Sequence, residues 1–370
     1  MVEQVLGWRR HLHRHPEPSF HEHETAAFVA ERLEELGVAV ERPTETSVLG
    51  RIGEGPPVVA LRADIDALPI REDSGVEFAS ENDGVMHACG HDGHTAMLLG
   101  AASALAGAER PPGEIRLIFQ HAEEIAPGGA RDLVAAGAMD GVDFVYGCHL
   151  WTPLALGRVA AMPGPFMAAA DFFKLAITGR GGHAALPHTA TDTVTVAAAL
   201  VGNLQHVVSR GLDPLQPAVV TVGSLHAGDA PNVIPGRAEL AGTTRSFDPG
   251  VRERLPELIE RIAEGVCAAH GAEFALDYTM GYRPVVNDER ATALVRAAAG
   301  EDVLEDLAPI MGGDDFSAYL EHAPGCYAFV GAGGEFPHHH PRFVIDERAL
   351  EIGTRLHCTV ALRALEAYAP

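Results

Sequence analysis

The chain has 370 residues and a formal net charge of −24, with 51 Asp and Glu against 27 Lys and Arg. An excess of negative charge this large repels phosphate, so nucleic acid and anionic membrane are excluded as partners, both requiring Lys/Arg surfaces. Its five cysteines are odd in number, scattered from Cys89 to Cys358 and contain no CxxC pair, which excludes a disulfide framework, and the length favours two domains.

In chain order, the first ten residues lack the basic-then-apolar order of a signal peptide and read as an ordinary amphipathic helix, so a cytoplasmic protein in a reducing compartment is expected. Residues 58–61 are strand-like, and 94–105 have helical periodicity. The most apolar stretch, 96–108, is Ala- and Gly-rich; it is shorter than the roughly 20 residues a bilayer requires and reads as a buried helix. Strand-like runs follow at 115–119 and 144–148, with a helix predicted over 129–137 between them. This alternation predicts an α/β domain with a mainly parallel sheet.

From about residue 162 the texture changes. Residues 172–177, 218–222 and 239–246 are strand-like, 191–208 is a long Ala/Val-rich helix, and Val251, Leu255, Leu258, Ile259, Ile262 and Val266 form a helical stripe ending near Gly271. The stripe reads as core rather than as a partner surface. The order is that of a β-α-β-β-α-β unit of α+β type. The first pattern then resumes, with helix 288–299, strand 326–331 and helix 346–366. We therefore expect a catalytic domain in two parts, 1–165 and 281–370, interrupted by an inserted domain at 166–280.

Chemistry concentrates in His87-Ala88-Cys89-Gly90-His91-Asp92-Gly93-His94, followed by Glu123-Glu124, His149 and His338-His339-His340. Imidazole, thiolate and carboxylate are the groups that give lone pairs to a divalent cation, and glycines let the backbone fold tightly around one. Asp64, Asp66, Glu123-Glu124 and His149 are expected just beyond strand ends, where open α/β sheets carry their active sites. Paired glutamates beside a metal can divide the work, one carboxylate staying on the cation while the other, Glu123 in this reading, moves a proton as general base. The bland alternative is a Glu-Glu pair capping the helix at 129–137.

Taken together, these motifs resemble the di-metal aminoacylase and carboxypeptidase superfamily, in its branch of hippurate hydrolases and indoleacetyl-amino-acid hydrolases. The resemblance runs nearly end to end. It includes His11-Leu12-His13-Arg14-His15-Pro16-Glu17, Leu61-Arg62-Ala63-Asp64-Ile65-Asp66-Ala67-Leu68-Pro69, the 87–94 cluster, Gln120-His121-Ala122-Glu123-Glu124, Gly147-Cys148-His149-Leu150-Trp151, Gly181-Gly182-His183-Ala184-Ala185, Asn232-Val233-Ile234-Pro235, Gly242-Thr243-Thr244-Arg245 and His339-His340-Pro341-Arg342-Phe343. The resemblance implies two divalent metals per subunit, manganese or zinc first and cobalt or nickel next, held by Cys89, His91, Glu124, His149 and His339. Cys89 would occupy the place of a bridging carboxylate in other branches, and His338 is the alternative last ligand. Asp66 would orient a ligand, while Asp64 stands where other branches carry a His ligand. The resemblance further implies that His183 reaches the partner's site across a homodimer or dimer-based oligomer to stabilise an oxyanion, and that Asn232 and Arg245 contact the substrate. Arg245 suits a carboxylate through its planar fork, or is a structural ion-pair partner.

The implied reaction is cleavage of an N-acyl amino acid into a carboxylic acid and a free amino acid. The alternatives are a dipeptidase or carboxypeptidase of the same superfamily, or a metal-dependent binding protein without catalysis. Gly179-Arg180-Gly181-Gly182-His183-Ala184 formally fits a dinucleotide fingerprint, but Pro187 sits where its helix should run. No G-x-S-x-G elbow or phosphate loop occurs. Two departures from the family pattern are Asp314, where a Glu is usual, and Val344, where an acid is frequent.

Overall fold

A computed structural model describes residues 2–304 and 306–369. It begins with α1 (Val2–Arg14) and α2 (His23–Glu35), whose buried residues, Val5, Trp8 and Leu12, then Ala26, Val29 and Leu33, recur at helical spacing. Short β1 (Ala39–Glu41) pairs antiparallel with β2 (Val48–Glu54). In β3 (Val58–Asp64) every residue is buried, as expected of a strand covered on both faces.

The next helix, α3 (His91–Ala106), is buried almost all round, because its Ala and Gly positions let α1 and α9 (Ala349–Ala367) pack closely against it. Then come β4 (Gly113–Gln120), α4 (Ala130–Ala135), β5 (Phe144–Trp151), β6 (Val159–Ala160) and β7 (Gly164–Met167). The chain continues through β8 (Ala169–Thr178), β9 (Gly182–His183), α5 (Thr193–Gly211), β10 (Ala218–Ala227), β11 (Val233–Ile234), β12 (Arg237–Ser246), α6 (Pro249–His270) and β13 (Glu273–Tyr282). It returns by β14 (Val285–Asn287), α7 (Glu289–Ala299), α8 (Ser317–Leu320) and β15 (Gly325–Gly331) to α9.

Two compact units result. The first comprises the chain up to Phe166, Val285–Ala308 and the stretch from Asp315 onward. Its seven-stranded sheet has the order β1-β2-β4-β3-β5-β15-β6. The four central strands run parallel, and antiparallel strands close both flanks. Parallel neighbours need a long crossover. The β3–β4 link uses α3, whereas the β5–β15 link contains the whole second unit.

The second unit comprises Met167–Pro284 with Pro309–Asp314. Its antiparallel sheet, β10-β12-β8-β13, is α+β in character. Phe173, Leu175 and Ile177 alternate along β8 into one core with Val196, Leu200 and Leu204 of α5 and Val251, Leu255 and Ile259 of α6, so the stripe predicted at 251–266 is core. Asp192 and Asp248 cap the two helices with side-chain oxygens, and Gly271 at φ 66 ends α6. The fingerprint at Gly179 has no helix behind it. β8 leads instead into the β9–β11 ribbon and a 3₁₀ turn at Pro187–Thr189.

Candidate metal centre

The first unit gathers its imidazoles, thiol and carboxylates around the start of α3. Gly90, at φ 91, turns the chain so that Cys89 ends the preceding loop and His91 begins the helix; that left-handed conformation is one glycine adopts at little steric cost. Asp64 closes β3, and Glu123 and Glu124 lie in the turn after β4. His149 falls inside β5 rather than after it, because the strand runs on to Trp151. Helix α4 is shorter than predicted and starts at Ala130 with Gly129 before it and no side-chain cap, so Glu123 and Glu124 do not cap it.

Hydrogen bonding decides which ring nitrogens are available. His91 Nδ1 lies 3.0 Å from the Asp66 carbonyl and 3.1 Å from Asp66 Oδ1. Both are acceptors, so Nδ1 carries the proton. His91 Nε2 is buried and has no hydrogen-bond partner, as is true of Glu124 Oε1, 3.9 Å away. His149 Nδ1 donates to the Leu150 carbonyl at 2.8 Å, leaving Nε2 3.4 Å from Cys89 Sγ.

His94 is committed on both sides. Its Nε2 accepts the Leu150 N–H at 2.8 Å, so Nδ1 donates to Asp64 Oδ1 at 2.6 Å, and His94 is a support for the site rather than a ligand. His338 Nε2 lies 2.9 Å from the Leu150 carbonyl, and its ring stacks on Trp151. It is His339, held at φ 64 with its N–H on the Ala88 carbonyl, whose Nε2 comes 3.3 Å from Glu124 Oε1.

Three of the groups of ligand atoms that the fold brings within 4.8 Å join the expected residues: Cys89–His91–His149, Cys89–Glu124–His339 and His91–Glu123–Glu124. Cys89 belongs to two of them. The field at their centre is strongly negative. Burial alone would lower His91, but Asp64, Asp66 and Glu124 outweigh it and push the imidazole up to about 10. Burial, then the carboxylates of Glu124, Glu123 and Asp64, push the Cys89 thiol well up, so a thiolate there needs a cation beside it. Burial and the neighbouring His94 and His338 keep His149 neutral. An orphaned His91 Nε2, a thiol shared between two of the groups and a strongly negative field together fit divalent metal.

A supporting layer lies behind these groups. Burial would raise Asp66, but hydrogen bonds from His91, from Ser19 at 2.6 Å and from the Glu124 N–H at 3.0 Å hold it below the usual carboxylate range. Burial is likewise outweighed at Asp64 by His91, Arg62 and His94. Arg62, itself buried, reaches Asp64 at 2.6 Å, Asp315 at 2.9 Å and Gln120 at 2.8 Å. Sequence reasoning named neither Ser19 nor Arg62 as a supporting residue. Arg62 carried a usable signal, being a charged residue inside an apolar strand, whereas Ser19 carried none.

His183, Asn232 and Arg245 belong to the second unit. The ribbon sets His183 opposite Val233, and the Ala184 N–H donates to the Asn232 carbonyl at 3.1 Å. Arg245, on β12, donates to Thr243 Oγ1 and to the Thr244 carbonyl. It has no carboxylate within ion-pairing distance among the described residues, which disfavours the structural ion-pair alternative. Burial lowers its guanidinium despite nearby Asp171. Asp314 is buried.

Residues 60–363 match the model of peptidase family M20/M25/M40. The chain belongs to that family. An N-acyl-L-amino acid amidohydrolase of Geobacillus stearothermophilus is 54% identical over 287 residues, 76% of this chain and 78% of the relative. An N-acetyl-L-cysteine deacetylase of Bacillus subtilis (strain 168) is 46% identical over 358 residues, 95% of this chain and 85% of that one. Among solved structures, a dinuclear metal-binding peptidase of the M20 family from Bacillus subtilis superposes with a TM-score of 0.86 at 36% identity, covering 99% of this chain and 98% of the other. The mixed α/β architecture with its inserted α+β unit is thus that of an M20 peptidase.

Proposed function

We propose that the protein is a metallo-amidohydrolase that cleaves N-acyl amino acids to a carboxylic acid and a free amino acid. The observation that carries this reading is the cluster Cys89, His91, Glu124, His149 and His339, with the Glu123 carboxylate within 4.8 Å of the His91 and Glu124 ligand atoms. Names borne by similar chains, an N-acyl-L-amino acid amidohydrolase and an N-acetyl-L-cysteine deacetylase, support the substrate class. The dinuclear neighbour supports two divalent metals.

Cys89, His91, Glu124, His149 and His339 would hold the pair, with Cys89 shared; manganese and zinc are the leading candidates, cobalt and nickel the next. Divalent metal bound there would supply Lewis acidity, polarising the scissile carbonyl and acidifying water. Glu123, buried beside the cluster, removes the proton from the attacking water and passes it to the departing amine nitrogen. Asp66 keeps the proton on His91 Nδ1, so that Nε2 faces the cluster. Arg245 and Asn232 take the carboxylate of the amino-acid half. His183, contributed by a second copy of the chain, stabilises the oxyanion, which makes a dimer the active species.

The test is turnover of a panel of acetyl, benzoyl and indoleacetyl amino acids by chelator-stripped protein reloaded with manganese, zinc, cobalt or nickel. Metal-dependent release of free amino acid is expected. Glu123→Gln should retain both metals and lose at least about 100-fold in kcat, the scale of a general base. Stoichiometric metal without turnover of any member would favour the binding-protein alternative. Release of amino acid from unblocked peptides only would favour the peptidase one.

A further inference from the structure

Glu22 sits at the N-terminus of α2, is fully buried, and has no part in the chemistry above. Its Oε1 accepts the Ala122 N–H at 2.7 Å, while Oε2 has no hydrogen-bond partner. Burial first, and nearby Asp66 second, push the carboxyl up to about 8. At neutral pH it is therefore mostly the uncharged acid, whose carbonyl oxygen still accepts a hydrogen bond. A half-satisfied buried carboxyl costs free energy that an apolar side chain would not, so its value must lie in what it holds.

What it holds is strained. Ala122 has φ 50, a left-handed conformation that a residue with a Cβ adopts only at a steric cost. Ala122 immediately precedes Glu123. Ties on the turn include the Ala122 N–H to Glu22, the Ala122 carbonyl to the Gly129 N–H at 3.1 Å, the His121 carbonyl to Gln120 Nε2 at 3.2 Å and the Glu124 N–H to Asp66 Oδ2 at 3.0 Å. Without Glu22 the strained peptide has a buried N–H and no acceptor, and the turn gains a reason to relax.

We propose that Glu22 is a positioning residue for the reaction, holding the turn at 121–124 in the strained shape that presents Glu123. This rests on the reading of Glu123 as general base. The experiment compares Glu22→Ala, Glu22→Asp and Glu22→Gln in metal-loaded protein with N-acetyl amino acid as substrate. Gln keeps an uncharged carbonyl acceptor at the same reach, Asp falls one methylene short, and Ala has none. Glu22→Ala and Glu22→Asp are expected to keep both metals and near-normal KM while kcat falls about 10–100-fold, the cost of misplacing a catalytic group by a fraction of an ångström to an ångström. Gln should restore most of the kcat.

Amide hydrogen exchange across 121–124 should quicken in Ala and Asp and stay slow in Gln, with or without metal. The proposal is overturned if all three variants keep normal kcat, if Gln is as impaired as Asp, or if kcat falls only in proportion to lost metal. Should Ala fail to fold, comparison of Asp with Gln decides the same question. Glu123→Gln separates the two readings. If that variant stays active, the base assignment fails; if it is inactive while Glu22→Asp is normal, only the role of Glu22 fails.

Discussion

At the scale of single residues, the centre is decided by which nitrogen of each imidazole is occupied. His94 shows this most clearly. Lying one helical turn from His91, it has every chemical qualification of a ligand, yet the Leu150 N–H and Asp64 consume both its nitrogens. Leu150 in turn accepts the Nδ1–H of His149. Replacing His94 by Phe should therefore loosen the peptide that orients His149 and weaken metal binding about 10–100-fold, the usual effect of losing a partner that orients a ligand. Metal titration of the stripped variant checks this, and unchanged affinity would remove His94 from the supporting layer. The sequence made the cluster at 87–94 and the late triplet visible as chemistry, but left His338 and His339 both open as the last ligand. It did not show that His338 is spent on Leu150 while His339 turns, at φ 64, toward Glu124, because that choice is made by backbone conformation.

At the scale of elements, the parallel strands were legible because burial on both faces writes short apolar runs, as in residues 58–61 of β3 and in β15, even where β3 then carries Arg62 and Asp64. The antiparallel flank β1–β2 was not, since a three-residue strand and one carrying two glycines leave little pattern. The turn between β4 and α4 was also opaque. It depends on close approaches that residue types do not announce: a Cβ on Gly129 would lie 2.1 Å from the His121 carbonyl oxygen. Gly129→Ala should thus displace the turn carrying Glu123, destabilising the fold by about 1–3 kcal/mol, as overpacking does, with a matching loss of kcat. Thermal melts beside steady-state kinetics test this; a variant normal in both would show that the turn has slack.

At the scale of the whole molecule, buried titratable groups set the pH range of stability. Burial, assisted by His94, holds His357 down to about 3 from an ordinary value of 6.5. The unfolded chain then binds a proton that the folded one refuses, so stability is full above about pH 6.5 and falls as pH drops toward 3. Glu22 works in the opposite direction. Raised from 4.5 to about 8, it contributes most below its unfolded value, and that contribution is lost as pH rises through 8. Urea unfolding across pH should show a shallower acid limb in His357→Leu and a shallower alkaline limb in Glu22→Gln; slopes identical to wild type would place the responsible groups elsewhere. The long β5–β15 crossover also has a bearing on how the protein is made. Cys89, His91, Glu124 and His149 leave the ribosome before the second unit, and His339 only after it. A chain halted anywhere within the crossover lacks its last imidazole and the strand that pairs with β5. If His339 is the last ligand, as proposed, secure metal capture becomes a late event in biogenesis, one that distinguishes finished chains from truncated ones.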